Sequence, residues 1–139
     1  MRILVVDDYA RVREGIRALL SRRADWSVCA EAEDGIEAVE KAKSLRPDII
    51  LMDVSMPRMD GMQATSIVRR EVPESDVIIV SQNDPQVVSI QAREVGAAGF
   101  VSKANLANEL IPMLEQLARQ HELGRHPASR EHDERRKSH

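Results

Sequence analysis

Three carboxylates, a hydroxyl and an ammonium stand at the ends of short strand-like runs. Asp7 and Asp8 follow 2-RILVV-6, Asp53 follows 49-IILM-52, Ser81 closes 77-VIIVS-81 and Lys103 follows 99-GFVS-102. The end of a core strand is a costly place for an ionised carboxylate, which must find a cationic partner or shift its pKa. Clustered carboxylates also repel one another, and a hard divalent cation with oxygen ligands relieves that repulsion. Mg²⁺ suits the pattern, since it commonly takes one or two carboxylates, a phosphate and waters. A carboxylate is a competent nucleophile toward phosphorus, giving an acyl phosphate. Phosphoryl transfer then needs alignment and charge neutralisation. The metal on one side and Lys103 on the other would neutralise the charge, while Ser81 donates a hydrogen bond to a phosphoryl oxygen. Each residue alone has a plainer reading: Asp7 or Asp8 as a helix cap, Ser81 as a small strand-end residue, Lys103 as a solvated charge. Their joint occurrence at four strand ends favours the chemical one.

The elements that must position these groups follow one repeated grammar. Strand-like runs lie at 2-RILVV-6, 27-SVCAEA-32, 49-IILM-52, 77-VIIVS-81 and 99-GFVS-102. Between them the apolar spacing turns helical. Val12, Ile16, Leu19 and Leu20 share one face, as do Ala64, Ile67 and Val68, and then Leu106, Leu110, Met113, Leu114 and Leu117. Asp84, Pro85 and Gly96 mark a fourth helix as N-cap, first position and C-terminal stop. Strands that alternate with helices imply a parallel sheet with helices on both faces. Burial on both sides explains runs that are apolar rather than alternating. The expected fold is a five-stranded doubly wound α/β sandwich, and in such sheets ligands sit beyond the carboxyl ends of the strands.

Composition narrows the classes. The 139 residues fit one domain, and Tyr9, Trp26 and Phe100 are its only aromatics, so the core must be aliphatic. The single Cys29 cannot form an internal disulfide and reads as a buried structural thiol. No apolar run approaches the ~20 residues of a bilayer span. Only a four-residue apolar run precedes Asp7, so no signal peptide is expected, and the chain reads as cytoplasmic. Residues 1–118 hold 14 Lys/Arg against 19 Asp/Glu and residues 119–139 hold six against four, so a −5 body carries a +2 tail. An acidic body argues against direct DNA binding. The tail contains all four histidines and few large apolar residues, and is expected to be a disordered tail or linker. His121, His126, His132 and His139 lack compact metal-ligand spacing.

Taken in order, 4-LVVDD-8, 53-DVSMPRMDG-61, 80-VS-81 and 97-AAGFVSK-103 resemble the receiver domain of two-component response regulators. The resemblance spans residues 1–118, and the finer patterns DDYARVREGI and GAAGFVSK are most similar to the LuxR/NarL type. It implies a flavodoxin-like sandwich of strand order 2-1-3-4-5. It further implies that Asp53 is the phosphoacceptor, charged from a phosphohistidine on a sensor histidine kinase. Asp7 and Asp8 would hold Mg²⁺ with Asp53 and the backbone carbonyl of Ser55, and Lys103 would contact the phosphoryl group. Ser81 and Phe100 would form a switch pair that signals to the fourth helix, fifth strand and fifth helix, a face for homodimerisation or an output partner. Such a domain catalyses only its own phosphorylation and dephosphorylation.

Some residues depart from the family's common pattern. Ala104 follows Lys103 where many receivers have proline after a cis bond, and a cis bond to a non-proline costs ~2.5–4 kcal/mol. Gln82 replaces a small residue and is expected to narrow access to Asp53. Pro112 should kink or restart the last helix. A helix-turn-helix domain is absent from this sequence, so the alternative is the receiver part of a longer LuxR/NarL-type transcription regulator. A haloacid-dehalogenase-type phosphatase would need a second Asp at the position of Ser55. A flavodoxin-type FMN binder would not place Asp7 and Asp8 where a phosphate must sit.

Overall fold

The computed structural model describes residues 1–122. Five strands, β1 (Arg2–Val6), β2 (Ser27–Ala32), β3 (Ile49–Asp53), β4 (Asp76–Ser81) and β5 (Gly99–Ser102), form one parallel sheet in the order β2-β1-β3-β4-β5. Helices α1 (Ala10–Leu20), α2 (Gly35–Leu45), α3 (Gly61–Glu71), α4 (Pro85–Glu94) and α5 (Leu106–Glu122) connect and follow the strands. The expected strand bounds hold to within one residue. The differences matter at β3, which takes in Asp53 itself, and at β4, which begins at Asp76.

Successive strand residues feed two cores. Leu4, Val6, Ile50, Met52, Val77 and Ile79 meet α2, α3 and α4 through Ala38, Ala42, Ala64, Val68, Val88 and Ala92. Ile3, Val5, Ile49, Leu51, Ile78 and Val80 meet α1 and α5 through Ile16, Leu20, Leu110, Leu114 and Leu117. Alanine on α2 and α3 lets those helices approach the sheet closely, while the α1/α5 side is filled by leucine and isoleucine. Each fully buried aliphatic side chain contributes about 1.5–3 kcal/mol. Trp26, nearly buried, closes the second core, with the Arg23 guanidinium 4.3 Å above its ring. Cys29 is only partly buried, its Sγ 3.5 Å from the Ile3 carbonyl oxygen.

Helix ends match their sequence signals. Asp84 accepts from Gln86 N, Pro85 opens α4, and Gly96 takes φ +85 just beyond its end. Two expectations for α5 change. Pro112 neither ends nor restarts the helix, which follows a 3₁₀ turn at Lys103–Asn105 and runs on to Glu122. Buried Leu110, Leu114 and Leu117 flank the proline, and their packing holds the helix where local propensity alone would not. The expected boundary at 118 therefore falls within α5, one turn before its end. The remainder of the expected tail, from 123 onward, lies outside the described residues, as do His126, His132 and His139.

His121 explains part of that extension, because its Nε2 lies 3.0 Å from Asp76 Oδ2 at the start of β4. The hydrogen bond to Asp76 raises the His121 pKa above its usual value, against the opposing effect of partial burial. A raised folded-state pKa gives stability that is full below the unfolded value of 6.5 and is lost as pH rises through the folded value. His121→Gln should therefore lower stability by about 0.5–1 kcal/mol near pH 6 and by almost nothing near pH 9, read from urea midpoints.

Candidate functional site

The carboxyl ends of β1, β3, β4 and β5 open on one hollow of about 250 Å³. Asp8, Asp53, Ser55, Ser81 and Lys103 line it, with Tyr9, Met56 and Gln82 completing the wall. Asp7 and Asp53 are almost fully buried, at 1% and 4% exposure. One carboxylate oxygen from each of Asp7, Asp8 and Asp53 falls within 4.8 Å of the others. Neither Asp7 nor Asp8 caps α1, whose N-cap is Tyr9 with no side-chain cap bond. Asp7 Oδ1 instead accepts from the Tyr9 amide at 2.9 Å.

Lys103 bridges the cluster. Its Nζ lies 2.9 Å from Asp7 Oδ2 and 3.1 Å from Asp53 Oδ1, and its side chain is only 15% exposed. Burial disfavours its charge, but the contacts with Asp7 and Asp53 outweigh this and raise its pKa, so it stays an ammonium. Asp53 is less acidic than usual. Burial, aided by the Asp7 charge and only partly offset by Lys103, pushes its pKa up to about 6. A single ammonium thus faces three carboxylates, and Asp8 Oδ1 is buried with no hydrogen-bond partner among the described residues. An all-oxygen donor set with an excess of negative charge and an unsatisfied buried oxygen fits a hard divalent cation.

Local structure fixes Asp53 from below and beside. Gly61 opens α3 against the Asp53 main chain, so closely that a Cβ there would lie 1.9 Å from the Asp53 carbonyl oxygen. Asp60 caps α3 in a reciprocal box with Gln63, and Gly61 N donates to Val54 O at 2.8 Å. Between them, Arg58 adopts φ 66 and donates from Nε and Nη2 to Asp34 Oδ2 at 3.0 and 2.8 Å. Asp34 in turn caps α2, and Gly35 N donates to the Met59 carbonyl at 3.0 Å. The loop after Asp53 is thereby fastened to the start of α2.

Ser81 is buried at the end of β4, and its Oγ accepts from Asn83 N at 3.0 Å, which leaves the hydroxyl proton free to donate. Phe100 stands apart from the hollow. It pairs with Ile79 across the sheet, is half-buried against the α2–α4 core, and borders a separate depression with Ser89, Ala92 and Arg93. No peptide bond among the described residues is cis, the Lys103–Ala104 bond included. Sequence reasoning passed over Arg13, whose side chain reaches the Asp7 carbonyl and Glu31. The signal was present: Arg13 and Arg17 lie four apart on α1, facing the acidic end of β2.

Residues 3–115 match the family model described as the response regulator receiver domain. The chain is 34% identical to the uncharacterised transcriptional regulatory protein YxjL of Bacillus subtilis, over 86% of this chain and 55% of that protein. It is 34% identical to the chemotaxis protein CheY of Listeria monocytogenes, over 86% of this chain and 99% of that one. Among solved structures, the signal receiver domain of the response regulator NarL from Mycobacterium tuberculosis superimposes with TM-score 0.79 at 36% identity, covering 85% of this chain and 95% of that one. The chain spans about half the length of the transcriptional regulators it matches.

Proposed function

The chain belongs to the response regulator receiver domain family of two-component systems, and from that premise we propose that Asp53 takes a phosphoryl group from the phosphohistidine of a sensor histidine kinase. The observation that carries this reading is the contact of one partly buried lysine with two buried strand-end carboxylates, Asp7 and Asp53, beside a third at Asp8. Asp7, Asp8, Asp53 and the Ser55 carbonyl are the residues that would hold Mg²⁺. When bound, Mg²⁺ supplies positive charge to the oxygens of the transferring phosphoryl group and offsets the repulsion among the carboxylates.

The protein's own groups do the rest. An Asp53 oxygen forms the new bond to phosphorus as the bond from phosphorus to the histidine nitrogen breaks. With its pKa near 6, Asp53 is the nucleophilic carboxylate at neutral pH. Lys103, already on Asp53 Oδ1, follows the charge as it passes to the phosphoryl oxygens, and Ser81 turns its proton toward one of them. That hydrogen bond draws the end of β4 inward, and Phe100 fills the space vacated beside it, so that α4, β5 and α5 present a changed face to a second copy or an output partner. The domain works on its own phosphorylation and dephosphorylation rather than on a separate substrate, and its setting is the cytoplasm. No described helix is long and apolar enough to cross a membrane.

Incubation with acetyl phosphate tests the assignment. Mass spectrometry should find one added phosphoryl group, dependent on Mg²⁺ and abolished by chelation, and reductive trapping should place it on the peptide holding Asp53. Labelling elsewhere, or equal labelling with chelator present, would overturn it.

A further inference from the structure

We propose that Arg13 is a positioning residue for the Asp7–Asp8 pair, a role that rests on the metal-dependent reading above. Its side chain is only 12% exposed, and each guanidinium nitrogen faces an oxygen. Nη1 donates to the Asp7 main-chain carbonyl at 2.6 Å, Nε donates to Glu31 Oε1 at 2.8 Å, and Nη2 lies 3.6 Å from Glu33 Oε1. Arg13 thus joins the turn after β1 to the carboxyl end of β2. Glu31 is itself held, since its carboxylate also accepts from Arg17 and its carbonyl from Lys41.

The consequence falls on Asp8. The Asp7 amide donates to Ala32 O at 3.1 Å, and Arg13 takes the Asp7 carbonyl, so both main-chain polar groups of Asp7 are tied to β2. A peptide unit is planar, and fixing its carbonyl fixes the direction in which the next residue leaves. That next residue is Asp8, whose buried Oδ1 has no hydrogen-bond partner among the described residues. Arg13 holds the frame from which this oxygen is aimed.

Charge alone predicts the opposite effect. A guanidinium beside an acidic cluster repels an incoming dication, so removing it should tighten metal binding if electrostatics were its whole contribution. Positioning predicts that removal weakens binding. Lysine separates the two further, because it keeps the charge but has one ammonium on a flexible stem, unable to span the Asp7 carbonyl and Glu31 as the planar fork does.

Calorimetric titration with MgCl₂ compares wild type, Arg13→Lys and Arg13→Met. Both variants should bind about tenfold more weakly, the usual scale for losing a group that orients a metal ligand. In chelator, the amide NMR signals of Asp8 and Tyr9 should shift in both variants, while those of α4 stay in place. Tighter or unchanged binding by Arg13→Met, with Arg13→Lys equal to wild type, would overturn the positioning role. Should Arg13→Met fail to fold, the charge-preserving Arg13→Lys decides by the same criterion. A wild type that binds no Mg²⁺ would remove the metal-dependent reading itself, and this role with it.

Discussion

Asp53→Asn should melt above wild type in chelator at pH 7.5, even as it loses the capacity to be phosphorylated. The reason is the environment of the carboxylate. Asp53 is 4% exposed and lies against Asp7, and burial and that charge hold its pKa near 6 instead of the usual 3.8. Above both values the folded protein carries an ionised group that it disfavours by roughly 3 kcal/mol relative to the unfolded chain. The pull of Lys103 on Asp53 Oδ1 is already counted in that figure, so an amide of the same shape recovers at most that cost. The expected net gain is about 1–2 kcal/mol, or about 4–10 °C in melting temperature.

The sign with pH is equally definite. Between the unfolded and folded pKa the folded state retains a proton that the unfolded state has lost. Stability from this group is therefore full below pH 3.8 and falls as pH rises through about 6. Wild type and Asp53→Asn should converge near pH 4 and separate toward pH 7. Added Mg²⁺ should narrow the gap, because a ligand that binds the folded wild type stabilises it by mass action. A wild type that melts above the variant at pH 7.5 in chelator would contradict this account.

Gly61→Ala should be the most damaging small substitution in the domain, costing more than about 3 kcal/mol. Its Cβ would lie 1.9 Å from the Asp53 carbonyl oxygen, 2.8 Å from the carbonyl carbon and 3.0 Å from Met52 Cγ. Two of those atoms are main chain and cannot rotate away. Relief requires α3 to leave β3, but Gly61 N is bonded to Val54 O and the buried Thr65 Oγ1 donates to Gly61 O at 2.7 Å. The cost exceeds ordinary overpacking because the collision is with backbone. Gly15→Ala is the control. Gly15 lies inside α1 with nothing within 4 Å of an added Cβ, so alanine should add about 0.5–1 kcal/mol. Urea unfolding of both variants checks the pair, and a Gly61→Ala midpoint close to wild type would show that the contact relaxes.

Both effects depend on features with different visibility in the sequence. The positions of Asp7, Asp53, Ser81 and Lys103 were legible because parallel strands buried on both faces leave unbroken apolar runs, and a charge at the end of such a run marks the edge where sites form. Gly61 stands out less, since its need for a missing side chain appears only when α3 lies on β3. Other contacts carry no local signature at all. Arg58 with Asp34 and His121 with Asp76 join charged side chains separated by 24 and 45 residues. Nothing in the composition around His121 distinguishes it from a solvated tail residue, which is why the sequence boundary at 118 fell short of the end of α5. Pro112 misled for a related reason: its local penalty is read easily, while the buried leucines that outweigh it act through the fold.

The division of the sheet into two cores bears on how the chain becomes whole during synthesis. The α2–α4 side is covered by consecutive segments, so it can close once β5 has left the ribosome. The opposite side is covered by the first and last of the described helices together, Ile16 and Leu20 from one and Leu110, Leu114 and Leu117 from the other. Until α5 emerges, Leu51, Ile78 and Val80 have only half their cover, and the nascent chain shows a greasy flank. The emergence of α5 is thus the step that seals the domain.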